Sequence, residues 1–291
     1  MIYGDSNTVS NNTITDNYDS GIYLSDDGDP DSNTIIDNTI SGNGDNCQFN
    51  DCAGIYIDED SDDNIIKHNN ITGNDDYGIY SLSSVDARYN WWGDASGPGG
   101  AGPGSGDSIN NATLVDYSPW FGKTVASSPM TFYTDDAIQD VIDNATAGDT
   151  IRVYAGTYDE DINIGNNLTL IGNGTSSIIN GTGGGGNVIG IGNGVYLSGF
   201  RVIAYGEGYG IYLSGSNNTV NDCKVGGDSN ANGDAGIYVS GSNNTISNNT
   251  IENNEEYGMR IVGSGNTIIN NDLPFNPISI HISVSGNNNQ I

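Results

Sequence analysis

Gly-Ile-Tyr occurs five times in this chain, at Gly21-Ile22-Tyr23, Gly54-Ile55-Tyr56, Gly78-Ile79-Tyr80, Gly210-Ile211-Tyr212 and Gly236-Ile237-Tyr238, with Gly258-Met259-Arg260 as a variant. Consecutive copies lie 33 and 24 residues apart in the first group, then 26 and 22 in the second. Self-similarity at this period predicts a solenoid. Each repeat is one rung, and a rung buries its apolar residues only by stacking on its neighbours.

A second motif accompanies the first and aligns without gaps: NTVSNNTI (7–14), NTIIDNTI (33–40), NIIKHNNI (64–71), NTVNDCKV (218–225), NTISNNTI (244–251) and NTIINNDL (266–273). Its two-residue alternation, interrupted once, predicts two short strands meeting at a corner. Ile35 and Ile40 are expected to face inward, Thr34 and Thr39 outward. The corner position holds Asn12, Asn38, Asn69, Cys223, Asn249 or Asn271. Stacked at the strand spacing of about 4.8 Å, an inward Asn can bond both the turn backbone and the Asn of the next rung. Cys223 in that slot reads as a small buried side chain, not a nucleophile.

Gly, Asn, Asp, Ser and Thr dominate the composition, which could signal disorder, but the regular Ile, Val and Tyr positions argue against it. Asp and Glu number 37 against 7 Lys and Arg, a formal charge of −30. Nucleic acid and an anionic membrane surface are therefore poor partners. Cations or a screening, salty medium suit the chain better. No run of about 18 apolar residues exists, so no membrane insertion is expected. The first residues lack a basic segment followed by an apolar one, so no signal peptide is expected, and they read as the middle of a repeat. No organic cofactor is expected. Cys47 and Cys52 sit in a polar insertion, GDNCQFNDCAG. A loop disulfide there suits an extracellular protein, two free thiols being the alternative. A metal site lacks a second Cys pair or a nearby His. Sequons such as those at Asn70, Asn111, Asn144 and Asn243 permit glycosylation.

The two motifs resemble the right-handed parallel β-helix of the pectin-lyase-like superfamily, and within it the NosD-like or CASH (carbohydrate-binding and sugar-hydrolase) repeats of archaeal and bacterial surface proteins. The resemblance spans nearly the whole chain. ARYNWWGDASGPGG (87–100) with VDYSPWFG (115–122) looks like a closing segment. It puts Asn90 in the Asn ladder and Trp92 in the place of Ile40. DDAIQDVIDNATAGDTIRVYAGTYDEDINIGNNLTLIG (135–172) looks like an opening segment. Ala137, Ile138, Val141 and Ile142 there form one apolar face of a short capping helix. The resemblance thus implies an all-β fold of two β-helical units in series. Residues 1–122 are the C-terminal part of a first, 123–130 a linker, and 131–291 the capping helix and N-terminal part of a second. Both units are expected to be incomplete.

Stacking turns the alignment into a surface map. In the acidic loops LSDDGDPDSN (24–33) and IDEDSDDN (57–64), Asp27 falls on Asp58, Asp29 on Asp60 and Asp31 on Asp62. Like charges about 5 Å apart repel by about 1 kcal/mol in water and about 3 kcal/mol at an effective dielectric of 20. The pairing predicts Ca²⁺ bound by these carboxylates; a splayed, solvated loop is the alternative. DSNANGD (228–234) has the spacing of half an EF-hand loop at Asp228, Asn230 and Asn232, but Val239 replaces the closing Glu. Tyr23, Tyr56 and Tyr80 should stack in one unit, and Tyr212 and Tyr238 in the other. Adjacent strand residues face opposite ways, so with Ile inward these rings face out, where they can meet sugars or simply brace neighbouring strands.

The enzymes of the superfamily imply a basic residue near bound uronate, or Asp with His and an Arg-Lys pair. No Gly-His-Gly occurs here, and MRIV (259–262) lacks the Lys. Alignment stacks Ile36, Lys67 and Arg88 in one column and Asp37, His68 and Tyr89 in the next. Lys67, His68, Tyr89 and Asp37 could supply an acid and a base, but cations compensating nearby carboxylates are the preferred reading, because a fold does not by itself establish a function. His281 stands alone and reads as structural. The resulting expectation is a non-catalytic extracellular or cell-surface module that binds a glycan, calcium or both. End-to-end self-association through open sheet edges is a further expectation. The alternative is a lyase or related carbohydrate-active enzyme acting on acidic polysaccharide.

Overall fold

The structure, a computed structural model, describes residues 1–25, 28, 30–45, 52–125, 127–204, 206, 208–227, 234–283 and 286–291, all but the side chain of 166. It has two compact units, Met1–Tyr133 and Thr134–Ile291. Each is a parallel β-helix with three faces.

In the first unit, one face stacks Thr8–Ser10, Thr34–Ile36, Asn64–Lys67, Val85–Asp86 and Val115–Asp116. A second stacks Thr13–Thr15, Thr39–Ser41 and Asn70–Thr72. The third carries the Gly-Ile-Tyr strands Ile22–Leu24, Ala53–Ile57 and Tyr77–Ser81. Pairing is parallel and in register: Ile35 on Ile66, Ile40 on Ile71, Ile55 on Ile79. All six of these side chains are fully buried. So are Trp92 and Trp120, and the Trp120 indole N–H donates to a backbone carbonyl, Ala95 O, at 3.1 Å.

The recurring corner joins a residue in the left-handed region to a following Asn, buried in the inner rungs. Ser32 (φ 55°) precedes Asn33, Asp37 (56°) precedes Asn38, and Gly42 (62°) precedes Asn43. The polar turn leaves backbone N–H groups that no strand can satisfy, and the Asn of the next rung accepts them. Asn38 N–H donates to Asn69 Oδ1 at 2.9 Å, and Asn69 N–H to Asn90 Oδ1 at 2.8 Å. Asn69 Nδ2 meanwhile donates to the carbonyls of Ile35 and Lys67, both at 2.9 Å. Two further ladders run parallel to this one. Asn7 donates to Asn33 and Asn33 to Asn64, each at 2.8 Å. Asn43 donates to Asn74 at 3.1 Å, and Asn74 to Asp107 Oδ2 at 3.1 Å.

The second unit repeats the plan. Asn218, Asn244, Asn266 and Asn289 form one ladder, and Cys223, Asn249 and Asn271 another, in which only the backbone N–H of Cys223 takes part. Its start is covered by α1 (Ile138–Asn144), which buries Ile138, Val141 and Ile142. The helix has no side-chain cap of its own. Glu160 supplies one from the following strand connection, accepting Ile138 N–H at 2.7 Å and Gln139 N–H at 3.0 Å.

Candidate functional site

With the interior filled by Ile, Val and Asn, recognition chemistry is left to outward side chains. Regular columns of these lie on the Gly-Ile-Tyr faces. Each Ile of the motif is buried and each Tyr is partly exposed. Tyr23 and Tyr56 stack with ring centroids 4.7 Å apart and planes 1° apart; Tyr56 and Tyr80 follow at 5.2 Å and 8°. Tyr212 and Tyr238 stack at 5.3 Å and 12° in the second unit. Ring spacing here is strand spacing, so the sheet itself sets the ladder. One consequence follows for ligands. Rings stacked face to face cover each other's faces, so a ladder shows solvent its edges and hydroxyls along its length and an open ring face only at an end. Tyr23 Oη donates to Asp58 Oδ2 at 2.8 Å, and Ser240 Oγ reaches Tyr212 Oη at 3.2 Å.

Four of the motif glycines are held to glycine by an Asn of the third ladder or its counterpart in the second unit. A Cβ on Gly54 would lie 2.8 Å from Asn74 Nδ2, and one on Gly21 would lie 2.9 Å from Asn43. Gly236 faces Asn254 and Gly258 faces Asn276 in the same way. This ladder escapes a reading centred on the octet, because its Asn residues (17, 43, 74, 254, 276) lie outside it. The other missed ladder was within reach: its members are the first letter of every octet.

Lys67, His68, Tyr89 and Asp37 are brought to one corner, but not as free acids and bases. Lys67 Nζ lies 2.5 Å from Asp86, and Arg88 grips the same carboxylate through Nε and Nη2, both at 2.9 Å. Burial works to raise the Asp86 pKa, yet the bonds from Arg88 and Lys67 outweigh it and hold it below the usual carboxylate range. Asp37, His68 and Tyr89 occupy the left-handed corner position ahead of Asn38, Asn69 and Asn90 (φ 56°, 56° and 59°). His68 stands edge-on to Tyr89 and 3.9 Å from Asp37. Burial is the main cause of its lowered pKa, with Lys67 adding to it and Asp37 opposing. Arg88 also lines an open groove with Asp63, Asp86 and Asp116.

Of the acidic residues expected to hold calcium, Asp31 and Asp62 adjoin, Asp62 N–H donating to Asp31 Oδ1 at 2.8 Å. Asp58 is engaged by Tyr23, and Asp60 is a left-handed turn residue. Asp27, Asp29, Asp228, Asn230 and Asn232 lie outside the described residues. No three metal-competent side chains gather among the described residues. Cys52 is disulfide-bonded, and Cys47 lies outside the described residues.

Stacked three-faced rungs, inward Asn ladders and outward aromatic columns define a parallel β-helix repeat protein. Residues 1–91 match the family model described as right handed beta helix region. Residues 201–291 match that of the periplasmic copper-binding protein NosD. No curated protein and no solved structure matches the chain. With the strand topology, the two family matches make this chain a NosD-like β-helix repeat protein.

The copper in that family description calls for convergent soft or imidazole donors. In residues 201–291 the described candidates are Cys223, Met259 and His281. Cys223 is free but buried, and burial pushes its thiol up to about 12. Met259 is fully buried in register with Ile237 and Ile280, whereas His281 pairs with outward Arg260. Inward and outward side chains of one sheet cannot share an ion, so these residues do not fit a copper site.

Proposed function

We propose that this chain is a non-catalytic, glycan-binding module of a protein working outside the cytoplasm, at the cell surface or in the periplasm. The outward tyrosine ladders carry the reading. Tyrosine offers apolar edge and hydroxyl together at little entropic cost, as a sugar polymer demands. Rungs at fixed spacing repeat that offer along the face. Two observations support the location: the NosD description names the periplasm, and the Cys52 disulfide suits an oxidising compartment.

The test is binding of the full chain to a panel of neutral and acidic polysaccharides by affinity electrophoresis. Retardation by at least one glycan is expected, weakened when Tyr23, Tyr56 and Tyr80, or Tyr212 and Tyr238, are replaced by Ser. Absence of binding, or binding indifferent to both sets of replacements, overturns the proposal. The same acidic polysaccharides are to be assayed for unsaturated, ultraviolet-absorbing products. Such activity, lost in Lys67→Ala or His68→Ala, would establish a lyase instead.

A further inference from the structure

The second ladder has one closed end and one open end. Its outward column runs Asn163, Gly190, Tyr212, Tyr238, Arg260, His281 in unbroken register. The Arg260 guanidinium lies over the Tyr238 ring at 5.4 Å and closes that end. At the other end the rung beyond Tyr212 supplies Gly190, which has no side chain to stack. The next outward side chain, Asn163, lies two rungs from Tyr212, about 9.6 Å at the ordinary strand spacing. One ring is missing from the column, and its place is a groove of about 320 Å³ lined by Tyr212, Gly190, Asn163, Asn187, Asp161 and Ser214.

From this we infer that the gap over Gly190 is a subsite for one neutral or amino sugar ring, stacked on Tyr212. The inference rests on the tyrosine ladders being glycan-binding. Its geometry follows from the rung: a pyranose chair is thicker than a planar tyrosine ring but fits between side chains two rungs apart, and the groove is at the small end of ligand sites. The lining sets the chemistry. Asn163 and Asn187 present amides that donate to and accept from hydroxyls. Asp161 accepts from the backbone N–H and hydroxyl of Thr182, and its second role is a negative charge at the rim. A chain of charge −30 with a carboxylate at this position repels uronates and sulfated sugars. Gly190 is not in the left-handed region, and the nearest atom to a Cβ there is the Asn163 amide oxygen at 3.1 Å, the end of an exposed side chain that can turn aside. A side chain can therefore be added.

Gly190→Tyr restores the missing ring and fills the subsite with the protein's own side chain. The experiment titrates the full chain with glucose, galactose, mannose, N-acetylglucosamine, glucosamine, their oligosaccharides and galacturonate, read by saturation-transfer NMR and calorimetry. Binding of a neutral or amino sugar is expected. It is lost in Gly190→Tyr, whose melting temperature stays at or above that of the parent, and in Tyr212→Ala. It is retained when Tyr23, Tyr56 and Tyr80 are replaced by Ser. Should Gly190→Tyr fold poorly, the decision falls to Tyr212→Ala. Sugar binding that survives these variants but disappears with the first-unit ladder overturns the subsite and leaves the broader reading standing. Preference for galacturonate overturns the assigned sugar class. Absence of any glycan binding overturns both.

Discussion

Asn and Gly carry this fold at the residue scale, each for a steric or hydrogen-bonding reason. The corner Asn accepts a backbone N–H that would otherwise be buried without a partner, and its amide donates to carbonyls of two rungs. The motif glycine yields its Cβ volume to such an Asn. Gly54→Ala places a methyl 2.8 Å from Asn74 Nδ2 and 2.9 Å from the Gly78 carbonyl, and is expected to destabilise the first unit by about 1–3 kcal/mol. Gly165→Ala, with nothing within 4 Å of its Cβ, is expected to be neutral or slightly stabilising. Chemical denaturation of both variants measures the contrast. Asp107 ends the third ladder where an Asn would continue it. Burial is the largest influence and pushes its carboxyl above the usual range, against the N–H groups of Asn74 and Gly73, which favour the charge. The folded state then holds the proton more tightly than the unfolded chain. Its contribution to stability is full below the ordinary carboxylate pKa and is lost as pH rises through the folded value. Melting curves of the parent and Asp107→Asn between pH 3 and 7 should converge in pH dependence except for this component, present only in the parent.

At the scale of the element, a strand of three residues has no stability of its own. Thr39–Ser41 exists because Thr13–Thr15 and Asn70–Thr72 pair with it on either side, so each rung depends on its neighbours. The ends are where this arrangement needs help, and α1 provides it at the start of the second unit. Seven residues are too few for a helix to persist alone. It is held by its buried Ile138, Val141 and Ile142 and by Glu160, which receives the first N–H groups. Removing that carboxylate in Glu160→Ala is expected to cost about 1–2 kcal/mol. Hydrogen exchange should show the loss first at Ile138 and Gln139.

Across the whole molecule, charge is the dominant unbalanced quantity. A net −30 repels itself in the compact state, and salt relieves it over a Debye length of about 10 Å at 0.1 M. The melting temperature is therefore expected to rise with NaCl concentration. A rise in CaCl₂ that exceeds NaCl at equal ionic strength would mark a specific calcium site; equal rises would assign the effect to screening. The few cations are spent locally, Lys67 and Arg88 on Asp86, and Lys224 on Glu252 at 2.7 Å. Arg260 instead covers a tyrosine ring.

Repeat period, alternation and corner Asn were legible in the chain because stacked rungs force equivalent residues into equivalent positions, so the alignment of octets is itself a map of contacts. That determined the solenoid, the inward Ile, the outward Tyr and the stacking of Lys67 on Arg88. What the alignment could not supply was anything that depends on a third dimension across the rung. Gly54 meets Asn74 from a different face, Glu160 reaches a helix 22 residues earlier, and Asp86 collects two cations, Arg88 from just past its own strand and Lys67 from a neighbouring one. The tyrosine column was readable, but not its ends. Gly190 lies outside the Gly-Ile-Tyr pattern, in IGIGN, and only strand register places it beside Tyr212. Sequence periodicity encodes what repeats; the gap in the ladder, being a break in the repeat, was decided by the tertiary structure.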